Sequence, residues 1–117
     1  MTLYFNGDSS WTATNVTANM QTNGSVIITG TNSSTDESLT FTLAGYREGR
    51  KTYYIGIGTI SGYSYGSSAS YDSGYYLINA NSGQIAITNY SVHTMDGSFD
   101  FLSNKIHLSG SFKAPIP

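Results

Sequence analysis

The stretch DGSFDFLSNKIHLSGSF, residues 96–112, decides the fold. Apolar residues occupy alternate positions on both sides of its centre, first at Phe99 and Phe101 and then at Ile106 and Leu108. A period of two is typical of β-strands that are buried on one face and wet on the other. The stretch therefore predicts an antiparallel β-hairpin.

A two-residue turn at Ser103 and Asn104 sets the register that we expect for this hairpin. The expected partners are Phe101 with Ile106, Phe99 with Leu108, and Asp100 with His107 on the wet face. A cross-strand pair of opposite charges explains Asp100 and His107 without any catalytic chemistry.

Outward from this hairpin, the same alternation recurs along the chain, and helical periodicity is missing. Further alternating segments are Leu39-Phe41-Leu43, Tyr53-Ile55-Ile57 and Ile85-Ile87. We expect a single all-β domain over residues 1–117, with eight or nine short antiparallel strands and no significant helix. Its architecture is predicted to be a β-sandwich or a flattened β-barrel.

Near the N-terminus, a three-residue loop at residues 22–24 is expected to join two strands. This loop pairs Met20 with Val26 and Ala18 with Ile28, so that apolar residues face one another, and it places Gly24 in the left-handed conformation. Around Asn15 the apolar phase slips, which indicates a bulge or bend where the chain changes sheets. Trp11 is then a core anchor.

The composition excludes most catalytic chemistry. Twelve of the 117 residues are charged, none is cysteine and two are histidine, whereas Ser, Thr, Asn and Gly supply 54. Because acid–base, nucleophilic and metal sites are assembled from His, Cys, Asp, Glu and Lys held together, we predict no enzyme activity, no catalytic residue, no metal site and no cofactor.

Two local patterns resemble functional motifs by chance. The segment Gly62-Tyr63-Ser64-Tyr65-Gly66 matches the Gly-x-Ser-x-Gly nucleophile elbow, but no helix follows it and the chain is too short for that fold. Several Asp residues occupy predicted turns, where Asp is ordinary turn chemistry rather than a calcium ligand set.

Charge and hydropathy narrow the choice of partners and location. The net charge is −2 and the five basic residues include only one small cluster, at residues 47–51, so we expect no nucleic-acid partner. No apolar run approaches the length of a membrane span. The composition favours an extracellular, periplasmic or cell-envelope location, and residues 1–6 show no basic n-region or apolar h-region of a secretion signal.

Tyrosines are the candidate ligand-binding residues. Tyr63, Tyr65 and Tyr71, together with Tyr46, lie in or near a Gly- and Ser-rich background, and residues 56–74 read as a long exposed loop or a loosely paired edge. Tyrosines in such a background are typical of binding surfaces for a polysaccharide or protein partner. The alternative is that some of the tyrosines fill the core.

Two further hypotheses remain open from the sequence. A structural or self-associating envelope protein would form a homo-oligomer through exposed edge strands. A carrier of a small apolar ligand would need a closed barrel with an internal cavity, although the five phenylalanines suffice to fill a small barrel.

The order of several landmarks resembles a family of small domains of unknown function found in secreted proteins and envelope lipoproteins of Bacteroidetes-type bacteria. The matching segments are Asn6-Gly7 with Trp11-Thr12-Ala13, residues 24–30, Ala69-Ser70-Tyr71, residues 83–90, residues 96–101 and residues 106–112. The resemblance implies an all-β envelope domain and brings no catalytic residues.

Overall fold

The computed structural model describes residues 1–6, 9–47, 49–56, 58–60, 63–74, 77–91, 93–103 and 106–116, and for residues 9–10, 58–60 and 63–65 it describes the backbone alone. Every helix or strand element in these ranges is a β-strand. The strands are β1 (Thr2–Phe5), β2 (Ser9–Thr12), β3 (Asn15–Met20), β4 (Val26–Asn32), β5 (Glu37–Leu43), β6 (Thr52–Tyr54), β7 (Gly58–Ile60), β8 (Tyr63–Tyr65), β9 (Ser68–Asp72), β10 (Leu77–Asn79), β11 (Ser82–Tyr90), β12 (Thr94–Ser103) and β13 (Ile106–Pro115).

These strands form two large antiparallel sheets and one small hairpin. The first sheet has six strands in the order β2-β1-β13-β12-β11-β6, and the second has five in the order β10-β9-β5-β4-β3. Strands β7 and β8 pair with each other. Because β2 and β6 end the first sheet, and β10 and β3 end the second, the fold is a sandwich rather than a closed barrel. The all-β prediction is confirmed.

The core lies between the two sheets. Phe41 of the five-stranded sheet is fully buried, and its ring centroid lies 4.8 Å from that of Phe99 and 5.7 Å from those of Phe101 and Phe112. Aromatic pairs at such distances stabilise a core beyond their buried area. Phenylalanines thus fill the middle of the sandwich, so the carrier hypothesis, which needed a closed barrel, gains no support.

The predicted N-terminal hairpin is confirmed. Ala18 pairs with Ile28 and Met20 with Val26, and Gly24 has a φ of 86°. Trp11 is buried in β2 of the six-stranded sheet, whereas β3 belongs to the five-stranded sheet. The chain therefore changes sheets between Thr12 and Asn15, where the apolar phase slips.

The register predicted for the C-terminal hairpin is wrong by two residues. Phe99 pairs with Gly110 and Phe101 with Leu108, while His107 lies opposite Leu102. Since a shift of two residues preserves the side-chain faces, the apolar face still points into the core. The observed register lets the Phe99 ring lie over a glycine, which has no side chain to displace it.

The structure also corrects the interpretation of residues 56–74. Strand β9 lies inside the five-stranded sheet between β5 and β10, and Ser67, Ala69 and Tyr71 are buried. This segment is therefore not one long exposed loop. Within the described ranges the structure has thirteen strands rather than the expected eight or nine, because this region adds strands and because β2 and β3 are separate.

Candidate functional site

The outer face of the six-stranded sheet is a polar surface that covers an aromatic core. In β12, Phe99 and Phe101 are buried, whereas Ser98 and Asp100, which alternate with them, are exposed. The same alternation in β13 sends Ser109 to the outer face. Residues with the outward phase on neighbouring strands lie beside one another, so the sheet assembles cross-strand rows of polar side chains.

One of these rows has a tyrosine at each side of a polar centre. Across β1, β13, β12, β11 and β6 the paired residues are Tyr4, Ser109, Asp100, Gln84 and Tyr54. Four steps between adjacent strands, at about 4.8 Å each, separate the two tyrosine positions by about 19 Å. We call this set the transverse row.

Both tyrosines lie on the outer face of the sheet, because the residue before each of them is buried in the core. Leu3 is fully buried next to Tyr4, which is 43% exposed. Tyr53 is fully buried next to Tyr54, which is half-buried. In each case strand alternation sends one aromatic or apolar residue to the core and the tyrosine to the outer face.

A row of small residues runs beside the transverse row and leaves a cleft. This second row consists of Thr2, Ser111, Ser98, Ala86 and Thr52. The cleft has a volume of about 330 Å³, and the side chains of Gln84, Ala86, Ser98, Asp100 and Ser109 line it. Of these residues, Gln84, Asp100 and Ser109 belong to the transverse row, and Ala86 and Ser98 belong to the row of small residues. We call this the outer-face cleft, and we call Ala86 and Ser98 its floor.

His107 holds the carboxylate at the centre of the transverse row. Its Nε2 lies 2.5 Å from Asp100 Oδ1, and both side chains are exposed. The backbone N–H of His107 donates to Asn6 Oδ1 at 2.9 Å, which ties this end of β13 to the end of β1. The predicted Asp100–His107 pair therefore forms, but as a diagonal contact rather than a directly opposed one.

A second cleft lies at the start of β6, beside the end of β11. Its volume is about 290 Å³, and it is lined by Tyr46, Arg50, Lys51, Tyr90 and the β11 segment 87–89. The Tyr46 ring stacks on Tyr53 with a centroid distance of 5.9 Å and an interplanar angle of 18°, and it lies 6.2 Å from the Tyr90 ring. We call this the tyrosine–cation cleft.

A third cleft, of about 360 Å³, is lined by Leu77, Ile78, Asn79, Asn81, Ser103 and Ile106. These side chains carry amide, hydroxyl and aliphatic groups but no charge. Although this cleft is the largest of the three, it offers less chemistry for recognition than the other two.

Of the tyrosines predicted from sequence, the structure describes the side chains of Tyr46 and Tyr71, and these two lie at different places. Tyr71 is 3% exposed, its ring lies 5.0 Å from that of Phe5 and 6.1 Å from that of Trp11, and its hydroxyl donates to the Glu37 carboxylate. It belongs to the core. Tyr46 lines the tyrosine–cation cleft, whereas Tyr63 and Tyr65 lie in β8, where their side chains are outside the described part of the chain.

Sequence reasoning missed Tyr4, Tyr54 and Tyr90. The signal for the first two was local, because Leu3-Tyr4 and Tyr53-Tyr54 each place one residue of the pair outward. Nothing local shows that Tyr4 and Tyr54 share a row, since that depends on the order of five strands.

Comparison with known protein families places the whole sandwich in one family. Residues 4–113 match the family described as Domain of unknown function (DUF6252). The chain belongs to this family. No curated protein and no solved structure matches it. The match spans the transverse row and the tyrosine–cation cleft of this DUF6252 domain, and the family description names no activity.

Two general features of the DUF6252 domain bear on its chemistry. In the described ranges, no helix is long and apolar enough to cross a membrane. No group of three or more His, Cys, Asp or Glu residues within the described part of the chain could hold a metal ion.

Proposed function

We propose that this domain is a non-enzymatic binding module, and that it binds a polysaccharide chain laid across the outer face of the six-stranded sheet. The observation that carries the proposal is the transverse row, in which Tyr4 and Tyr54 stand about 19 Å apart with Ser109, Asp100 and Gln84 between them.

The chemistry of a pyranose chain matches this arrangement. A sugar ring has an apolar face that packs on an aromatic ring, and its edge carries hydroxyl groups that both donate and accept hydrogen bonds. Tyrosine supplies the ring, while the carboxylate, amide and hydroxyl groups of the row supply acceptors and donors. Groups repeated at about 4.8 Å across several strands suit a polymer of repeating units better than one isolated sugar.

The residues of the outer-face cleft favour binding of a polysaccharide over its cleavage. Glycoside hydrolysis generally uses a pair of carboxyl groups on either side of the scissile bond. Among the lining residues of the outer-face cleft that the structure describes, Asp100 is the one that carries a carboxylate, and His107 is hydrogen-bonded to it. A carboxylate held in this way accepts hydrogen bonds from vicinal hydroxyls without needing a second acid.

The location belongs to the same proposal. We place the domain outside the cytoplasm, in the cell envelope or secreted fraction of a Bacteroidetes-type bacterium. The low charge and the high content of Ser, Thr, Asn and Gly support this location, and extracellular polysaccharides are found there. Fractionation of cells that express the native full-length protein tests it.

A second candidate function, self-association, is favoured by the edges of the five-stranded sheet. Met20 on edge strand β3 is 56% exposed, and Leu77 on edge strand β10 is 59% exposed. Exposed edges with apolar side chains are sites where another chain can add a strand. Light scattering tests this candidate, because self-association requires a mass that rises with protein concentration.

Affinity electrophoresis through gels that contain single neutral polysaccharides tests the leading proposal. We expect at least one polysaccharide to retard the wild-type domain, and we expect Tyr4→Ala to weaken that binding by about fivefold or more. Tyr90→Ala is the matched control, because Tyr90 is 41% exposed but lies outside the transverse row. Loss of binding in both variants, or in neither, would count against the transverse row as the site.

A further inference from the structure

The tyrosine–cation cleft carries an unusual concentration of positive charge for this protein. Residues 46–51 read Tyr-Arg-Glu-Gly-Arg-Lys and contain three of the five basic residues of the chain against one acid. Arg50 and Lys51 line the cleft directly, and Lys51 is exposed. In a protein whose net charge is −2, this cleft is a locally cationic site.

Hydrogen bonds hold the cationic wall in place. Arg50 Nη1 donates to the Gly45 carbonyl at 2.6 Å, across a turn in which Gly45 has a φ of 62°. The backbone N–H of Ile87 donates to the Lys51 carbonyl at 2.6 Å, which fastens the loop to β11. The guanidinium and the start of β6 are therefore positioned by the fold itself.

The aromatic wall is supported from the core. Tyr53 is fully buried beneath Tyr46, and its hydroxyl lies 3.4 Å from both the backbone nitrogen and the carbonyl oxygen of Arg47. Tyr90 follows the irregularity in the β11–β12 pairing between Ile87 and Asn89, which changes the direction of the strand beside the cleft. Two tyrosine rings and two cationic side chains thus line one concave surface.

We propose that this cleft is a second binding site, which takes one sugar ring bearing an anionic group, either a carboxylate or a sulfate. A guanidinium and an ammonium form strong, charge-assisted hydrogen bonds to such groups, and the tyrosine rings accept the apolar face of the sugar. The cleft volume of about 290 Å³ is at the lower end of small-molecule sites, near 300 Å³, which suits a single ring. This inference stands independently of the transverse row.

Isothermal titration of the intact domain tests the proposal with three probes: an oligogalacturonate, a sulfated oligosaccharide and a neutral galactose oligomer. The decisive variant is Lys51→Gln, and its matched control is Lys113→Gln, which removes the same charge from an exposed position on β13. A second pair is Tyr90→Ala with Tyr4→Ala as its control. Melting curves confirm that each variant is folded.

We expect at least one of the two anionic probes to bind, with an affinity that falls as the salt concentration rises. Lys51→Gln should weaken that binding about tenfold, while Lys113→Gln leaves it unchanged. The anionic probe that binds shows whether the cleft takes a carboxylate or a sulfate. The proposal is overturned if neither anionic probe binds, or if both lysine variants weaken binding equally, since that result indicates general charge attraction.

The same titrations distinguish the tyrosine–cation cleft from the transverse row. Lys51→Gln and Tyr90→Ala should leave binding of a neutral polysaccharide intact, and Tyr4→Ala should leave binding of the anionic probe intact. If the transverse row is not a binding site, the neutral polysaccharide will not bind there, and binding of the anionic probe to the tyrosine–cation cleft will be unaffected.

Discussion

Gly110 lies directly opposite Phe99 in the β12–β13 hairpin, and the Phe99 ring occupies the space that a side chain at position 110 would need. A Cβ at this position would lie 2.8 Å from Phe99 Cζ and would also collide with the backbone carbonyl of Thr2. Strand β1, which carries Tyr4, can thus approach β13 closely because residue 110 has no side chain.

We therefore expect Gly110→Ala to destabilise the domain by about 1–3 kcal/mol, the usual cost of overpacking a filled site. Since the collision pushes β1 away from β13, saccharide binding through Tyr4 should weaken as well. Urea unfolding measures the first effect and affinity electrophoresis the second. Ser111→Ala, at an exposed neighbouring position, is the control and should change the free energy of unfolding by less than about 0.5 kcal/mol. Equal stability of the two variants would contradict the packing described here.

Tyr71→Phe distinguishes a core tyrosine from a ligand-binding one. The substitution keeps the ring that contacts Phe5 and Trp11 and removes the hydroxyl that donates to Glu37. We expect a loss of about 1–2 kcal/mol in the free energy of unfolding, because a hydrogen bond to a charged acceptor disappears, and unchanged binding of any saccharide. A weaker saccharide affinity in a variant that is still folded would restore Tyr71 to the binding site.

The Asp100–His107 pair should matter for binding far more than for stability. Because both side chains are exposed, a double-mutant cycle with Asp100→Asn and His107→Ala should give a coupling free energy of less than about 1 kcal/mol. Asp100→Asn should nevertheless weaken polysaccharide binding severalfold, since the row loses its charged acceptor. A large coupling in stability together with unchanged binding would assign the pair a structural role instead.

A bulky residue on the floor of the outer-face cleft should block it. Ser98 is exposed and lies in the row of small residues, so Ser98→Trp is expected to abolish polysaccharide binding while changing the free energy of unfolding by less than about 0.5 kcal/mol. The matched control is Thr40→Trp, at the centre of the five-stranded sheet in β5. Normal binding by the Ser98 variant would show that the chain does not cross this cleft.

The alternation of apolar residues within neighbouring segments was enough to predict one hairpin but not the other. The loop at residues 22–24 was predictable because two apolar strands and a glycine admit one register that pairs apolar with apolar residues. The C-terminal hairpin was not, because two registers that differ by two residues bury the same face, and the choice rests on the packing of Phe99 against Gly110.

The candidate site was less predictable than the fold. Tyr4 and Tyr54 join one row only through β13, β12 and β11, so their relationship depends on strand order and not on spacing in the chain. The Gly- and Ser-rich context of Tyr71 resembled a binding loop, whereas pairing of β9 with β5 and β10 buries it.

Amide chemical-shift mapping by NMR, with a neutral oligosaccharide chosen from the polysaccharide that retards the domain, is the most direct test of the transverse row as a binding surface. We expect the largest shifts on residues of the transverse row and the cleft floor, at Gln84, Ala86, Ser98, Asp100 and Ser109. Shifts concentrated elsewhere, for example on the outer face of the five-stranded sheet, or no shifts at saturating oligosaccharide, would contradict it.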